Sequence, residues 1–268
     1  MTRARRRLPA PGGLRILPSP ARAGGLLGLV VALLAGYGLV TAPAFAVRSI
    51  DVSPLRWTAR DELVQWLGLA PDSNAFRVST SDLAARVEHL PTVRSAGVSI
   101  ALPDRLVVAV TERTPIVAWK VGGVTFLVDR DGMPFRWFPT GDAAVAGLPA
   151  IDDRRSASRV VISVGSLVDP VDLDVATRLL SLTPADLGSA AQGLAVAITD
   201  DDGFVLTTHP GSWTAVFGSY GKVLRPPDLI PGQVRLLRSL LSGREGAIAR
   251  VVLADDRNGT YVPIPSPG

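Results

Sequence analysis

The side chains able to do chemistry are few in this chain, and they are scattered. Its 268 residues hold no cysteine and two histidines, His89 and His209. Without thiols there is no disulfide, no thiolate nucleophile and no thiolate metal ligand. A histidine-based zinc site would need both histidines plus carboxylates, and no HExxH spacing is present. Three aspartate-rich turns resemble cation loops: Asp129-Arg130-Asp131-Gly132, Asp200-Asp201-Asp202-Gly203 and Asp255-Asp256-Arg257-Asn258-Gly259. Each lacks the later ligands and the closing glutamate of an EF-hand, so each reads as a plain turn. Neither GxSxG, nor a P-loop, nor GxGxxG occurs. Glu112, Arg113, Asp129 and Lys222 are left as candidate charged groups. No nucleophile stands beside a base, and no two carboxylates hold a defined spacing. The expectation is a chain with no catalytic residue, no cofactor and no metal.

The elements around these residues are organised by one stretch, Gly24 to Ala46, which carries no charge over 23 residues. As a helix rising ~1.5 Å per residue it would span about 34 Å, enough for a bilayer core of ~30 Å. Six arginines and no acid precede it: Arg3, Arg5, Arg6, Arg7, Arg15 and Arg22. All 24 acidic residues and the other 22 basic ones follow it, so a +6 arm is joined to a −2 body. Positive charge stays on the cytoplasmic side, which puts the arm inside and the body outside. Ala44-Phe45-Ala46 also fits a signal-peptide cleavage site, but the apolar run exceeds the ~7–15 residues of a usual signal core. An uncleaved anchor is the expectation, contacting membrane lipid through residues 24–46. The arm, rich in Arg, Pro and Gly, reads as disordered.

Beyond the anchor, the residues predict β-α-α-β-β. A strand runs through Val47, Ile50 and Val52 to Pro54. Thr58-Ala59-Arg60-Asp61 has capping-box form, and Leu63, Trp66 and Leu67 fall on one helical face until Ala70-Pro71-Asp72. Ser79 opens a second helix with Leu83, Val87 and Leu90 on its apolar face. Strands 93–101 and 105–111 follow around Leu102-Pro103-Asp104. Helices on one face of a small sheet are the natural packing.

The second module opens at Pro115, whose missing N–H favours a strand boundary. A hairpin turns at Gly122-Gly123. Residues 160–167 are compatible with either a strand or a helix start. Val175, Leu179 and Leu182 then share a helical face, ended by Pro184. Strands 194–198 and 204–208 bracket an aspartate turn, and 213–217 forms another strand. Pro231 opens a helix with Val234, Leu237, Leu240 and Leu241 inward. Strands 248–254 and 260–264 close the chain around Asn258-Gly259.

Several of these stretches resemble a known family. Asn74-x-Phe76-x-Val78 and Leu90-Pro91-x-Val93-x-x-Ala96-x-Val98, following a single anchor, resemble a POTRA domain. Pro103-x-x-Leu106-x-Val108-x-Val110-x-Glu112-Arg113-x-Pro115-x-x-Ala118-Trp119 is similar to the bacterial division family FtsQ/DivIB. Leu127-Val128-Asp129-x-x-Gly132-x-x-Phe135 continues the match, and Gly218 and Lys222 resemble the glycine and lysine before the family's last helix. The resemblance is strong from Phe45 to Phe135 and weaker beyond. Ser53-Pro54 departs from it where the family often has glycine.

The resulting expectation is an α+β protein with one transmembrane helix, a POTRA domain and a mixed α/β domain with an antiparallel sheet. Its divisions are arm 1–23, helix 24–44, POTRA domain 45–114, FtsQ-type β domain 115–255, and a terminal turn, strand and tail over 256–268. The resemblance implies a non-catalytic scaffold of the inner membrane and septum. It would link cytoplasmic and periplasmic division proteins, with FtsB- and FtsL-type and other divisome proteins as partners. It implies no nucleic acid and no small-molecule substrate. Another POTRA-bearing transport or assembly factor, or an anchored extracytoplasmic enzyme, is the alternative. The resemblance puts partner binding on the last strands. A terminal strand also leaves one edge unpaired, so Val252, Leu253, Thr260, Tyr261 and Val262 are the candidate contacts. Glu112, Arg113, Pro115 and Trp119 are the candidate interdomain residues.

Overall fold

A computed structural model describes residues 20–223 and 225–265, with the backbone alone for 20–23. The arm expected over residues 1–23 thus falls outside the described residues up to position 19. α1 spans Pro20–Thr41. Its segment Gly24–Thr41 is long and apolar enough to cross a membrane, and none of it is buried. The helix begins earlier than expected because proline is tolerated in a first turn. It stops before Ala46 because Pro43 disfavours helical backbone at the residue before it, and Ala42 is extended (φ −68°, ψ 127°).

The first domain follows the predicted order: β1 (Ser49–Val52), α2 (Arg60–Leu67), α3 (Thr80–Glu88), β2 (Val93–Ala101) and β3 (Arg105–Glu112). β3 lies at the centre of the sheet, antiparallel to β2 and parallel to β1. Leu63, Leu67, Leu83, Val87 and Leu90 bury themselves against Leu106 and Val108. Each such side chain gains about 1.5–3 kcal/mol on leaving water. Three details differ from expectation. Thr58 does not cap α2; Ala59 holds that position without a side-chain bond, and the Thr58 hydroxyl is buried against Thr92 Oγ1 at 2.6 Å. Trp66 is 46% exposed rather than in the core. Gly68, left-handed at φ 57°, ends α2 before Pro71 is reached. Ser79 caps α3 as predicted, accepting from the Asp82 N–H.

The second domain is one nine-stranded sheet. It comprises β4 (Pro115–Val121), β5 (Val124–Asp129), β6 (Pro134–Pro139), β7 (Ala150–Asp153), β8 (Gly193–Thr199), β9 (Gly203–His209), β10 (Thr214–Gly218), β11 (Ile248–Leu253) and β12 (Gly259–Pro263). The spatial order is β12-β11-β10-β9-β8-β7-β4-β5-β6, and β12 closes one end as part of the same sheet. Its hairpins are antiparallel, while β4–β7, β7–β8 and β10–β11 are parallel. Parallel neighbours need a crossover. α4 (Ser158–Val161) and α5 (Pro170–Leu180) lie in the β7–β8 connection, and α6 (Ile230–Leu241) lies in the β10–β11 connection. Of residues 160–167, compatible with either a strand or a helix start, the first two end the short α4 and the rest are irregular. α5 and α6 cover one face, where Trp119, Ile151, Val196, Leu206, Ala215 and Val251 meet Val175, Leu179, Leu237 and Leu241.

Candidate functional site

Two residues, Arg113 and Thr114, separate β3 from β4, so the joint between the domains is short. Successive side chains on a strand point to opposite faces, and Glu112 and Arg113 are indeed not paired with each other. The Glu112 carboxylate accepts three backbone N–H groups, from Arg56 (2.6 Å), Trp57 (2.9 Å) and Thr58 (2.7 Å). It thereby closes the loop that leads into α2. Arg113 donates from Nη1 to Asp129 Oδ2 at 2.6 Å, across the joint. Asp129 is buried, and its other oxygen accepts from the Asp131 and Met133 N–H groups at 3.0 Å each. Arg94 to Asp131 (3.3 Å) and Glu62 to Arg136 (3.5 Å) add exposed ion pairs between the domains. Trp57 packs edge-on against Phe135 and Phe138, with centroids 6.5 and 6.3 Å away. Pro115 opens β4 opposite Asp129. Trp119 lies in the core, donating its indole N–H to Asp153 Oδ2 at 3.0 Å.

The joint is testable through Glu112. In Glu112→Gln the amide would turn an N–H₂ group toward a backbone donor that now meets a carboxylate oxygen. Charge-assisted bonds are stronger than neutral ones, and a donor left facing a donor adds its desolvation. Thermal or denaturant unfolding of the full chain in detergent should show the first domain weakened by about 1–2 kcal/mol. An unchanged transition would mean that the loop before α2 is held by other contacts.

The other candidate is the open edge. In the hairpin, Ile264 N donates to Ala247 O and Asn258 O accepts from Ala254 N, both at 2.9 Å. Main-chain groups alternate in direction along a strand. Asn258, Thr260, Val262 and Ile264 therefore turn theirs toward β11, while Gly259, Tyr261 and Pro263 turn theirs outward. Pro263 has no N–H, so the open edge carries donors only at Gly259 and Tyr261. Tyr261 pairs with Val251 and shares its helix-covered face, yet stays 44% exposed at the rim. Val262, opposite Arg250, is 52% exposed on the other face, and Thr260 stands opposite the partly exposed Val252. Leu253 has to be withdrawn as a contact. Its side chain is 1% exposed, and its carbonyl accepts from Arg225 and Gln233 in the core.

The other two aspartate turns are engaged locally. Asp200 accepts from the Ser156 N–H and hydroxyl, Asp202 from Arg250, and Asp255 from the N–H groups of Arg257 and Asn258. Lys222 lies at the rim of a cavity of about 500 Å³ beside Arg155 and Asp172, two groups already bonded to each other. Among the described residues no three His, Asp or Glu side chains gather as metal ligands would.

Comparison with known proteins bears on the first domain directly. Residues 45–113 match the family model described as "POTRA domain, FtsQ-type". Residues 45–113 are an FtsQ-type POTRA domain. The chain is also 28% identical over 162 residues to cell division protein FtsQ of Chloroflexus aggregans, covering 59% of this chain and 56% of that protein. It is 29% identical over 187 residues to FtsQ of Mycobacteroides abscessus, 66% and 56% of the two chains. It is 31% identical over 173 residues to FtsQ of Koribacter versatilis, 61% and 48%. The chain spans about half the length of these relatives. The POTRA and FtsQ resemblance read from residues 74–135 is thus the one these comparisons return.

Some positioning residues of the FtsQ-type domain and its neighbour carry no sequence signal. Thr58 and Thr92 meet across 34 positions. Asp153, Arg155 and Asp172 form a network under Trp119: Arg155 donates Nε and Nη2 to Asp153 and Nη1 to Asp172. Asp153 is fully buried, which alone would raise its carboxyl pKa. Bonds from Arg155, Ser158 and Trp119 outweigh the burial and hold it below the usual carboxylate value. For Asp172 burial prevails over the Arg155 charge, and its carboxyl is raised.

Proposed function

We propose that this chain is a membrane-anchored, non-catalytic scaffold of bacterial cell division. Its arm would be cytoplasmic and its two folded domains extracytoplasmic, at the septum, with the domain limits expected from sequence. The FtsQ relatives support the division role. The observation that carries the scaffold reading is the open edge of β12, where the outward N–H and C=O of Tyr261 have no neighbouring strand among the described residues while the exposed Tyr261 and Val262 side chains flank them. An edge of this kind recognises an extended segment by strand addition. Pro263 confines the pairing to the stretch around Tyr261. The proposed partners are division proteins of the FtsB and FtsL type. Retention of the anchor is supported by packing at Ala44-Phe45-Ala46. Ala46 is buried and bridged to Asn74, and Phe45 stacks edge-on against Phe76.

The test has a cellular and a molecular arm. A fluorescent fusion should gather at midcell, and depletion should give undivided filaments or enlarged cells. A fusion spread evenly over the envelope overturns the reading. In solubilised membranes, Tyr261→Ala should weaken capture of the division partners by about 5–30-fold, the scale of a 1–2 kcal/mol aromatic hot spot. Unchanged capture by a folded Tyr261→Ala chain removes this residue from the site. Unchanged capture after deletion of residues 260–268 removes the edge.

A further inference from the structure

Where α1 meets the POTRA domain the chain forms a cavity of about 770 Å³. Val40 and Thr41 of the last helical turn line one side, and Arg48, Asp72, Asn74 and Arg77 line the other. We infer that this cavity binds the phosphate of an anionic phospholipid, with Arg48 and Arg77 as its cationic ligands. The inference rests on α1 crossing the bilayer with the folded domains beyond its C-terminal end.

The height of the cavity is set by the helix. Gly24–Thr41 contributes 18 uncharged residues, about 27 Å at ~1.5 Å per residue. A hydrocarbon core of ~30 Å therefore ends close to Thr41, and lipid phosphates begin there. Aromatic residues mark the same level, as at membrane interfaces generally. Tyr37 is exposed one turn before the helix end, and Phe76 is exposed beside Phe45.

The domain is fixed against the helix. Asn74 Nδ2 donates to the carbonyls of Leu39 (3.1 Å) and Ala42 (3.3 Å), and Val47 N donates to Ser73 O (2.9 Å). Asn74 thereby does a second thing. The carbonyl end of a helix carries partial negative charge that repels an anion, and its amide covers one of those oxygens, that of Leu39.

The charge around the cavity suits a phosphate. Arg48 and Arg77 are both exposed, and among the described residues neither guanidinium has an ion-pair or hydrogen-bond partner. Asp72 is the single acid on the lining. Some other arginines of the body are paired with acids, among them Arg113 with Asp129 and Arg155 with Asp153. A guanidinium presents two parallel donors to a phosphate. Basic pockets beside membrane helices bind headgroups for this reason.

The full chain should be reconstituted in phosphatidylcholine nanodiscs doped with phosphatidylglycerol that carries a photoactivatable headgroup, and the cross-linked peptides mapped. Cross-links should appear at residues 42–48 and 72–78. Arg48→Gln and Arg77→Gln should each reduce them about fivefold, while any cross-link to residues 1–23 stays unchanged. Asp72→Asn should increase them, since asparagine tolerates the positive φ of 56° at that position. Inorganic phosphate at millimolar level should not compete; competition would identify a soluble phosphate site and overturn the lipid assignment. Cross-links indifferent to both arginine substitutions, in a chain that enters the discs, would overturn the site alone. A chain that stays out of the discs would overturn the membrane reading, and this inference with it.

Discussion

Gly203→Ala is expected to destabilise the second domain by at least about 3 kcal/mol, well above the cost of an ordinary surface change. Gly203 begins β9 with φ +64° and pairs with Gly218, where the register shifts. A Cβ at this position would lie 2.4 Å from Gly218 C, 2.5 Å from Ser219 N and 2.6 Å from Gly218 O. All three are backbone atoms, so no side-chain rotation relieves the overlap. The left-handed backbone adds about 1–2 kcal/mol for any residue with a Cβ. At this domain size the transition should fall by roughly 6–12 °C. Gly193→Ala is the control: it starts the neighbouring β8, has open space around its Cβ position, and should shift the transition by less than about 0.5 kcal/mol. Equal melting curves for the two variants would mean that the β9–β10 bulge relaxes freely.

Asp153→Asn should cost about 3 kcal/mol at pH 7 and change the acid limb of the stability curve. Asp153 Oδ2 accepts from Trp119, Ser158 and Arg155, and Oδ1 accepts twice from Arg155. An amide puts N–H₂ where one of these oxygens receives donors. It also leaves Arg155 with Asp172 as its remaining anion, and removing one partner of a buried pair costs about 3–5 kcal/mol. Partial exposure of Arg155 places the value at the lower end. The sign with pH follows from the lowered pKa. The folded value of Asp153 lies below the unfolded value near 3.9. Its contribution is therefore present above about pH 4 and lost as pH falls through the folded value. Asp172 runs the other way. Its raised pKa means that protonation comes early and relieves a buried charge. Denaturant titrations of the full chain from pH 7 to pH 2 should show the gap between wild type and Asp153→Asn closing below about pH 4. A gap that stays constant to pH 2 would show that Asp153 does not titrate in that range.

Local chemistry made the first domain legible. Leu83, Val87 and Leu90 repeat at helical spacing, Ser79 carries a capping hydroxyl, and the buried Leu106 and Val108 alternate with less buried neighbours. Each of these signals acts within a few residues, and each is where the periodicity put it. Thr58 misled because its capping pattern is also short-range, whereas the hydroxyl was claimed by Thr92 from 34 positions away. Trp66 misled because α2 is eight residues long, and two leucines, Leu63 and Leu67, suffice to cover its buried side.

The candidate site divides in the same way. From the order of residues alone came the uncharged span, the charge step across it, and the POTRA and FtsQ resemblance. All are one-dimensional properties. Which edge of β12 stays open was decided by the hairpin register, since a shift of one residue would exchange inward and outward groups. Leu253 and Tyr261 were equal candidates until packing buried one beneath α6 and left the other at the rim. Arg48, Asn74 and Arg77 became neighbours of the helix end only when β1 paired with β3 and the loop before α3 folded back onto Leu39 and Ala42. Contacts of that kind depend on where distant segments come to rest in three dimensions, and no pattern within either segment encodes them.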